Sequence, residues 1–94
     1  IVGRAEVREI FEGRRGTQIA GCRVTEGRMI RNGDVRVVRA GAVVEENTIT
    51  SLRHFRDEVN EMNAGTECGV VIQGFNSFQE GDVIEVHRQE RGRR

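Results

Sequence analysis

The chain has 94 residues, of which 36% are hydrophobic and 32% are charged, so there is room for one folded domain with a modest core. Its basic and acidic residues number 15 each, and this formal neutrality excludes a basic nucleic-acid-binding surface over the whole domain. Every basic residue apart from the two His is Arg, so a P-loop and Schiff-base chemistry, which need Lys, are excluded as well.

The charge is unevenly distributed along the chain. Residues 1–39 have a balance of +4, and residues 40–94 have a balance of −4. Any contact with RNA is therefore expected to be local, through a few Arg side chains. The chain begins without Met, has no apolar run of the roughly 20 residues that span a membrane, and shows no secretory signal. These features predict a fragment of a longer cytoplasmic (bacterial) or organelle-matrix protein, with no membrane contact and both Cys reduced.

Short β-strands are the predicted elements along most of the chain. Gly residues recur as turn signals between stretches rich in Val, Ile and Thr, and period-two alternation is clearest at Ala20, Cys22 and Val24. The strands are expected at 4–11, 17–24, 35–39, 42–51, 67–72 and 83–88. This spacing is typical of an all-β sandwich or barrel.

Two parts of the chain allow more than one interpretation. Leu52, Phe55, Val59 and Met62 recur at steps of three and four residues, so part of the segment Leu52–Met62 could form one or two helical turns instead of strand. The Arg-rich end, residues 88–94, is expected to be a solvated tail, with contact to RNA phosphates as the alternative. Three aromatic residues are predicted to be core: Phe11, Phe75 and Phe78.

Catalytic and metal sites are poorly supported by the sequence. Cys22 or Cys68 could in principle form a dyad with His54 or His87, but nothing in their spacing favours it. The same four residues could form a zinc set only by coincidence, because zinc ligands come in close pairs and these stand alone. We expect no catalytic residue, no metal and no cofactor. The remaining candidate is a binding site that includes the segments 51–59 and 66–69.

These segments carry a resemblance to a known family. With several others in order, they resemble the C-terminal domain of bacterial and organellar translation initiation factor two. The matching stretches are Ala5–Arg8, Ile19–Cys22 with Val24, Ile30–Asn32, Val35–Arg39, Ser51–Val59, Glu67–Gly69, Phe75–Asn76 and Glu80–Glu85. The resemblance implies a single closed β-barrel of six or seven strands, related to the second domain of elongation factors.

The resemblance also implies a function, which is to bind the formylmethionyl-CCA 3′ end of initiator transfer RNA and recognise its blocked amino group. The parent protein would be a GTPase that acts on the ribosome, and this domain would be a monomer. Carried over position by position, the binding residues are Cys22, Arg53, His54, Phe55, Arg56, Glu67, Cys68 and Gly69. Here Phe55 stands where Tyr is common, which keeps the ring without the hydroxyl, and Arg56 stands where Lys is usual.

Seven of the eight implied binding residues, all except His54, have an expected role. Cys22, Phe55 and Cys68 would form an apolar wall for the methionine side chain. Arg53 and Arg56 would contact phosphates, and Gly69 would allow close backbone approach and place backbone donors near the formyl oxygen. Glu67 would be a hydrogen-bond acceptor or an electrostatic guard.

Two other classes of function stay open. One is a translation-factor barrel that contacts ribosomal RNA or protein without recognising the aminoacyl end. The other is an interaction module with no RNA role, such as a subunit-docking barrel.

Overall fold

The computed structural model describes residues 2–13 and 16–87, and eight β-strands lie within them. The strands are β1 (Gly3–Glu12), β2 (Gln18–Ile30), β3 (Asp34–Arg39), β4 (Ala42–His54), β5 (Asp57–Glu58), β6 (Glu61–Asn63), β7 (Glu67–Ile72) and β8 (Val83–His87). No helix in the described part of the chain is long and apolar enough to cross a membrane. The expectation for the C-terminal residues 88–94 lies outside the described residues.

Six of these strands close into a ring. The hydrogen-bonded order is β1, β8, β3, β4, β7 and β2, and the pairing of β2 with β1 completes the barrel. The two short strands lie off this ring, since β5 pairs with β4 and β6 pairs with the far end of β2. Closure leaves no long unpaired edge in the ring. The prediction of an all-β closed barrel is confirmed.

The barrel interior is filled by the alternate side chains of the ring strands. On β2, Ala20, Cys22 and Val24 are buried, while Arg23 between them is exposed, as the period-two pattern predicts. On β8, Ile84 and Val86 are buried in the same way. The outward positions of these strands are therefore free to form a surface site.

A β-bulge in β1 changes which residues face the core. Val7 pairs with Cys22 of β2 and Glu9 pairs with Gly21, so Arg8 is an extra residue between them. An extra residue reverses the inward and outward positions that follow it. Ala5 and Val7 are buried before the bulge, whereas Phe11, which would otherwise continue their face, is 50% exposed. The prediction that Phe11 belongs to the core is wrong for this reason.

The ambiguous segment 52–62 is a strand, a tight turn and two short strands. Leu52 and Met62 are buried, and Val59 packs partly against the core, but Phe55 at the turn is exposed. The three- and four-residue spacing comes from the chain reversing at Phe55 and Arg56, where β4 pairs with β5. Helical turns are therefore ruled out in this segment.

The loop between β7 and β8 is anchored by a buried carboxylate. Asp82 is 1% exposed and forms a paired contact with Arg39, with both N···O distances at 2.8 Å. Arg39 also donates to the carbonyl of Ser77, and the Gln79 N–H donates to Asp82. Burial alone would raise the pKa of Asp82, but the hydrogen bonds from Arg39 and Gln79 and the charge of Arg39 outweigh it and lower the pKa.

Two aromatic side chains of the same loop close one part of the core. Phe75 and Phe78 meet edge to face with ring centroids 4.9 Å apart. Their exposures are only 9% and 4%. The prediction that these two residues are core is confirmed.

Candidate functional site

A pocket of about 410 Å³ opens on the outer face of the barrel, over strands β1, β2, β4 and β7. Its volume lies within the range of roughly 300–1,000 Å³ that is usual for small-molecule sites. The floor consists of two Gly residues, Gly21 of β2 and Gly69 of β7, which are direct partners across the two strands. Neither has a side chain to project outward, so the sheet forms a shallow trough there.

Apolar side chains of neighbouring residues pack into the space above the two Gly residues. A Cβ on Gly21 would lie 3.0 Å from Cε2 of Phe11, and a Cβ on Gly69 would lie 3.2 Å from Cγ2 of Ile19. Phe11 and Ile19 are themselves partners across β1 and β2. Together they form an apolar wall along one side of the trough.

Charged side chains of both signs line the rest of the pocket. Two are cationic, Arg8 at the β1 bulge and Arg53 on β4, and two are anionic, Glu9 and Glu67. Arg53 contacts Glu58 at 3.9 Å and Ser51 at 3.4 Å through exposed, weak interactions. Its guanidinium is therefore available to an anionic ligand at little cost. The four charges sum to zero, so the lining has no net preference for a ligand of one sign.

Phe55 occupies a strained backbone position at the mouth of the pocket. It is the first residue of the two-residue turn between His54 and Asp57, and its φ is +60°. Gly is the usual residue where a tight hairpin needs a positive φ, and a bulky residue there is an outlier. The ring is 87% exposed, so burial does not compensate for the strain. Strained, exposed aromatic residues beside a pocket are typical of functional sites.

Six of the eight residues carried over from the family resemblance line this pocket. They are Cys22, Arg53, Phe55, Glu67, Cys68 and Gly69. The other two, His54 and Arg56, do not line it. His54 instead packs its ring against that of Phe55, with centroids 4.5 Å apart, and Arg56 is exposed on the turn.

The two Cys residues meet the pocket from the core side. Cys22 and Cys68 are direct partners across β2 and β7, and they are 2% and 5% exposed. Burial raises the pKa of Cys68 to about 11. Burial, with a smaller contribution from Cys68, raises the pKa of Cys22 well above its ordinary value. Both are neutral thiols near pH 7, so they add apolar surface beneath the trough rather than reactive groups.

Five pocket residues are missing from the set that the resemblance implied, namely Arg8, Glu9, Phe11, Ile19 and Gly21. All five lie on β1 and β2, at positions that depend on the bulge or on the β1–β2 register. Gly21 carried a signal in the sequence, because it interrupts an otherwise regular strand directly before Cys22.

Comparison with known proteins agrees with this architecture. Residues 17–85 match the family described as elongation factor Tu domain 2. A protein named translation initiation factor IF-2 from Thermus thermophilus is 51% identical over 90% of this chain. Proteins of the same name are 45% identical over 99% of the chain in Dehalococcoides mccartyi and 48% identical over 95% in a Thermoanaerobacter species.

The match covers a small part of each of these relatives. The chain spans 15% of the Thermus protein, 16% of the Dehalococcoides protein and 13% of the Thermoanaerobacter protein. It corresponds to one barrel within a much longer factor. The chain therefore belongs to the elongation factor Tu domain 2 family, and it matches a region of translation initiation factor IF-2.

Proposed function

We propose that this chain acts in translation initiation by binding the formylmethionyl-CCA end of initiator transfer RNA, as the C-terminal barrel of an IF-2-type GTPase. One observation carries the proposal. The barrel brings residues from three separate parts of the sheet to one pocket of about 410 Å³. They are Cys22 on β2, Arg53 and Phe55 at the end of β4, and Glu67–Gly69 on β7. These segments carry the resemblance to the initiator-binding domain.

The proposed basis of selectivity is desolvation of the amino group. Formylation converts an ammonium into a neutral amide. The lining charges of the pocket cancel, so they do not repel an ammonium as a group, and we assign its exclusion to the water that it would lose on binding over the floor at Gly21 and Gly69. A charge that loses its water without gaining a partner costs several kcal/mol, whereas an unpaired amide costs roughly 1–3 kcal/mol. That difference favours the formylated ester.

The polar groups of the ligand need partners from side chains. Gly69 is paired in register with Gly21 on one side and Arg53 on the other, so its backbone groups belong to the sheet. We therefore assign the donors for the formyl oxygen and the nearest phosphate to the guanidinium groups of Arg8 and Arg53 rather than to the Gly69 backbone. Gly69 contributes the absence of a side chain.

A Gly69→Ala variant tests the proposal. The added methyl would lie in the floor of the pocket and 3.2 Å from a flexible Ile19 side chain, a contact that a small shift relieves, so the barrel should still fold. We expect binding of formylmethionyl initiator transfer RNA to weaken by roughly tenfold, the factor that corresponds to about 1.4 kcal/mol.

The control is Val43→Ala, which removes an exposed apolar side chain that does not line the pocket. Binding is measured by competition with a labelled RNA, for the formylated and unformylated forms. Equal affinity of the unmodified chain for both forms would contradict the proposal and favour a barrel that contacts the ribosome without reading the aminoacyl end.

A further inference from the structure

The two Cys residues of the chain lie directly opposite each other on neighbouring strands. Cys22 of β2 and Cys68 of β7 are partners in an antiparallel register, so both side chains leave the same face of the sheet. That face is the core, where their exposures are only 2% and 5%. Negative charge on Cys68 contributes to the raised pKa of Cys22, as expected for two thiols that lie close together. The barrel therefore holds a facing dithiol, in which both thiols are free.

The backbone pairing gives the separation of these two residues. Two positions further along β2, the Val24 N–H donates to the Thr66 carbonyl at 2.9 Å. Antiparallel pairs alternate between hydrogen-bonded and non-hydrogen-bonded, so the pair of Cys22 with Cys68 is also hydrogen-bonded, with Cα atoms roughly 5.5 Å apart. Disulfides usually join residues whose Cα atoms are about 4.4–6.8 Å apart. The backbone therefore holds the two thiols within reach of a covalent bond.

A disulfide between these two strands would form under strain. The Cβ atoms of directly opposite residues are about 4.5–5.5 Å apart, and hydrogen-bonded pairs lie toward the wider end, whereas a relaxed disulfide has its Cβ atoms about 3.8 Å apart. Closing the bond therefore draws β2 and β7 together by roughly 1 Å. Strained disulfides are easily reduced, so they serve as labile or regulatory bonds rather than as permanent cross-links.

We propose that Cys22 and Cys68 are a redox modification site, which peroxide converts reversibly into a cross-strand disulfide, and that this bond weakens ligand binding in the pocket above it. The effect on binding rests on the proposed function, because it describes regulation of the same site. Formation of the bond does not, because it depends on the dithiol alone. Peroxide is the oxidant that fits, since both Cys line the pocket and a molecule close to the size of water reaches them through it.

The reaction consumes one hydrogen peroxide for each disulfide. Cys68 is the more exposed of the two thiols and reacts first: its sulfur takes one oxygen from the peroxide and becomes a sulfenic acid, and one water leaves. The Cys22 sulfur then displaces the hydroxyl group from the Cys68 sulfur, the S–S bond forms, and that hydroxyl leaves with the Cys22 proton as a second water. Since burial raises the pKa of Cys68 to about 11, little thiolate is present and the first step is slow.

The floor of the pocket is directly connected to this pair. Gly21 precedes Cys22 on β2, Gly69 follows Cys68 on β7, and the two Gly are themselves partners. Drawing the strands together at the dithiol therefore displaces the floor on which the ligand is proposed to lie. The Phe11 ring packs closely over Gly21, where a Cβ would lie 3.0 Å from Cε2, so it has to move with the floor. The pocket loses the shape that the reduced barrel gives it.

The test follows the disulfide and the affinity in one sample. The chain is treated with hydrogen peroxide, the excess is removed with catalase, and part is then reduced with dithiothreitol. We expect the intact mass to fall by two hydrogen atoms and a peptide map to join the peptides that contain Cys22 and Cys68. Binding of formylmethionyl initiator RNA should weaken roughly tenfold, a change of about 1.4 kcal/mol, and recover on reduction.

The matched control is Cys68→Ala, which cannot form the bond. This variant is compared only with itself, before and after peroxide, and its affinity should change less than about twofold. Oxidation of the buried Met29 or Met62 adds oxygen instead of removing hydrogen and is not reversed by dithiothreitol. If Cys68→Ala fails to fold, as judged by circular dichroism, reversal by dithiothreitol in the unmodified chain makes the same distinction.

The outcomes separate this inference from the proposed function. A folded chain that gains oxygen but never loses two hydrogen atoms would overturn the modification site. A disulfide that forms without changing the affinity would overturn its control of the pocket, as would a loss of binding that dithiothreitol does not reverse. If the reduced chain does not prefer formylated over unformylated methionyl RNA, the proposed function fails and control of that binding fails with it, while the mass still reports whether the disulfide forms.

Discussion

Replacing Phe55 separates the strain of its backbone position from the function of its ring. Phe55 has φ +60° at the first position of a two-residue turn, where Gly is usual. A Cβ at such a positive φ lowers the free energy of unfolding by about 1–2 kcal/mol. Gly removes this strain but itself lowers the free energy of unfolding by about 0.4–1 kcal/mol, because it makes the unfolded chain more flexible. The ring is 87% exposed, so its removal loses little burial. Phe55→Gly should therefore be more stable than Phe55→Ala by about 1 kcal/mol.

The comparison with Phe55→Ala isolates the backbone effect because both variants lack the ring and only one keeps a Cβ. Phe55→Ala should be no more stable than the unmodified chain, since it loses the contact with His54 and keeps the strain. Free energies of unfolding are measured by urea titration followed by circular dichroism, since the chain has no Trp or Tyr for fluorescence. A difference of about 1 kcal/mol shifts Tm by about 4–8 °C in a domain of this size.

Loss of the Phe55 ring is expected to lower the affinity for the RNA ligand. Both variants should weaken binding of the formylated RNA to a similar degree, so that Phe55→Gly becomes a more stable protein with a poorer site. A Phe55→Gly chain that is equally or less stable than Phe55→Ala would refute the assignment of strain. Unchanged binding in both variants would refute the role of the ring.

Three further predictions follow from the charged groups and thiols. Asp82 has a lowered pKa in the fold, so its pairing with Arg39 should stabilise the barrel above pH 3.8 and be lost as the pH falls toward that lowered pKa. Acid titration of unfolding should show a smaller loss for Asp82→Asn, which starts about 2 kcal/mol less stable at pH 7. Cys22 and Cys68 should resist iodoacetamide at pH 8, where a thiol of pKa about 11 is about one-thousandth ionised; labelling within minutes, monitored by mass spectrometry, would show that the core opens. Arg53→Ala should reduce the slope of log affinity against log salt by about 0.7, and an unchanged slope would mean that this residue contacts no phosphate.

The positions of most strands and part of the core could be predicted from the sequence because they depend on local patterns. Ala20, Cys22 and Val24 alternate with outward residues, and this period identifies a half-buried strand without knowledge of its partners. Gly turn signals place most of the expected strand ends within three residues of the observed ones, but β2 continues to Ile30, six residues beyond its expected end. Closure into a ring of six strands came from the family resemblance rather than from any single motif.

The parts that could not be predicted depend on pairing between distant strands. The bulge at Arg8 can be recognised only from the pairing of β1 with β2, in which β1 has one more residue than β2 between two successive pairs. Because of this extra residue, Phe11 faces the pocket instead of the core. The segment 52–62 is ambiguous in the sequence because a tight turn at Phe55 places its apolar residues three and four positions apart, which is also the spacing of a helix. Gly21 and Gly69 become a pocket floor only when the register places them opposite each other.

The residues of the candidate site could likewise be predicted only in part. Six implied residues meet in the pocket because the resemblance already contained the long-range pairing of β2, β4 and β7. His54 and Arg56 lie on the same segment as Arg53 but are directed elsewhere by the turn. Sequence proximity alone could not distinguish them from Arg53 and Phe55.

Protection of the aminoacyl ester tests the central claim most directly. The ester that joins formylmethionine to the RNA hydrolyses spontaneously, and a domain that encloses it should slow the reaction. The rate is measured for formylated and unformylated methionyl initiator RNA, with and without the chain. We predict marked slowing for the formylated ester and little for the unformylated one. Equal rates for both esters, whether or not the chain is present, would contradict initiator-end recognition by this barrel.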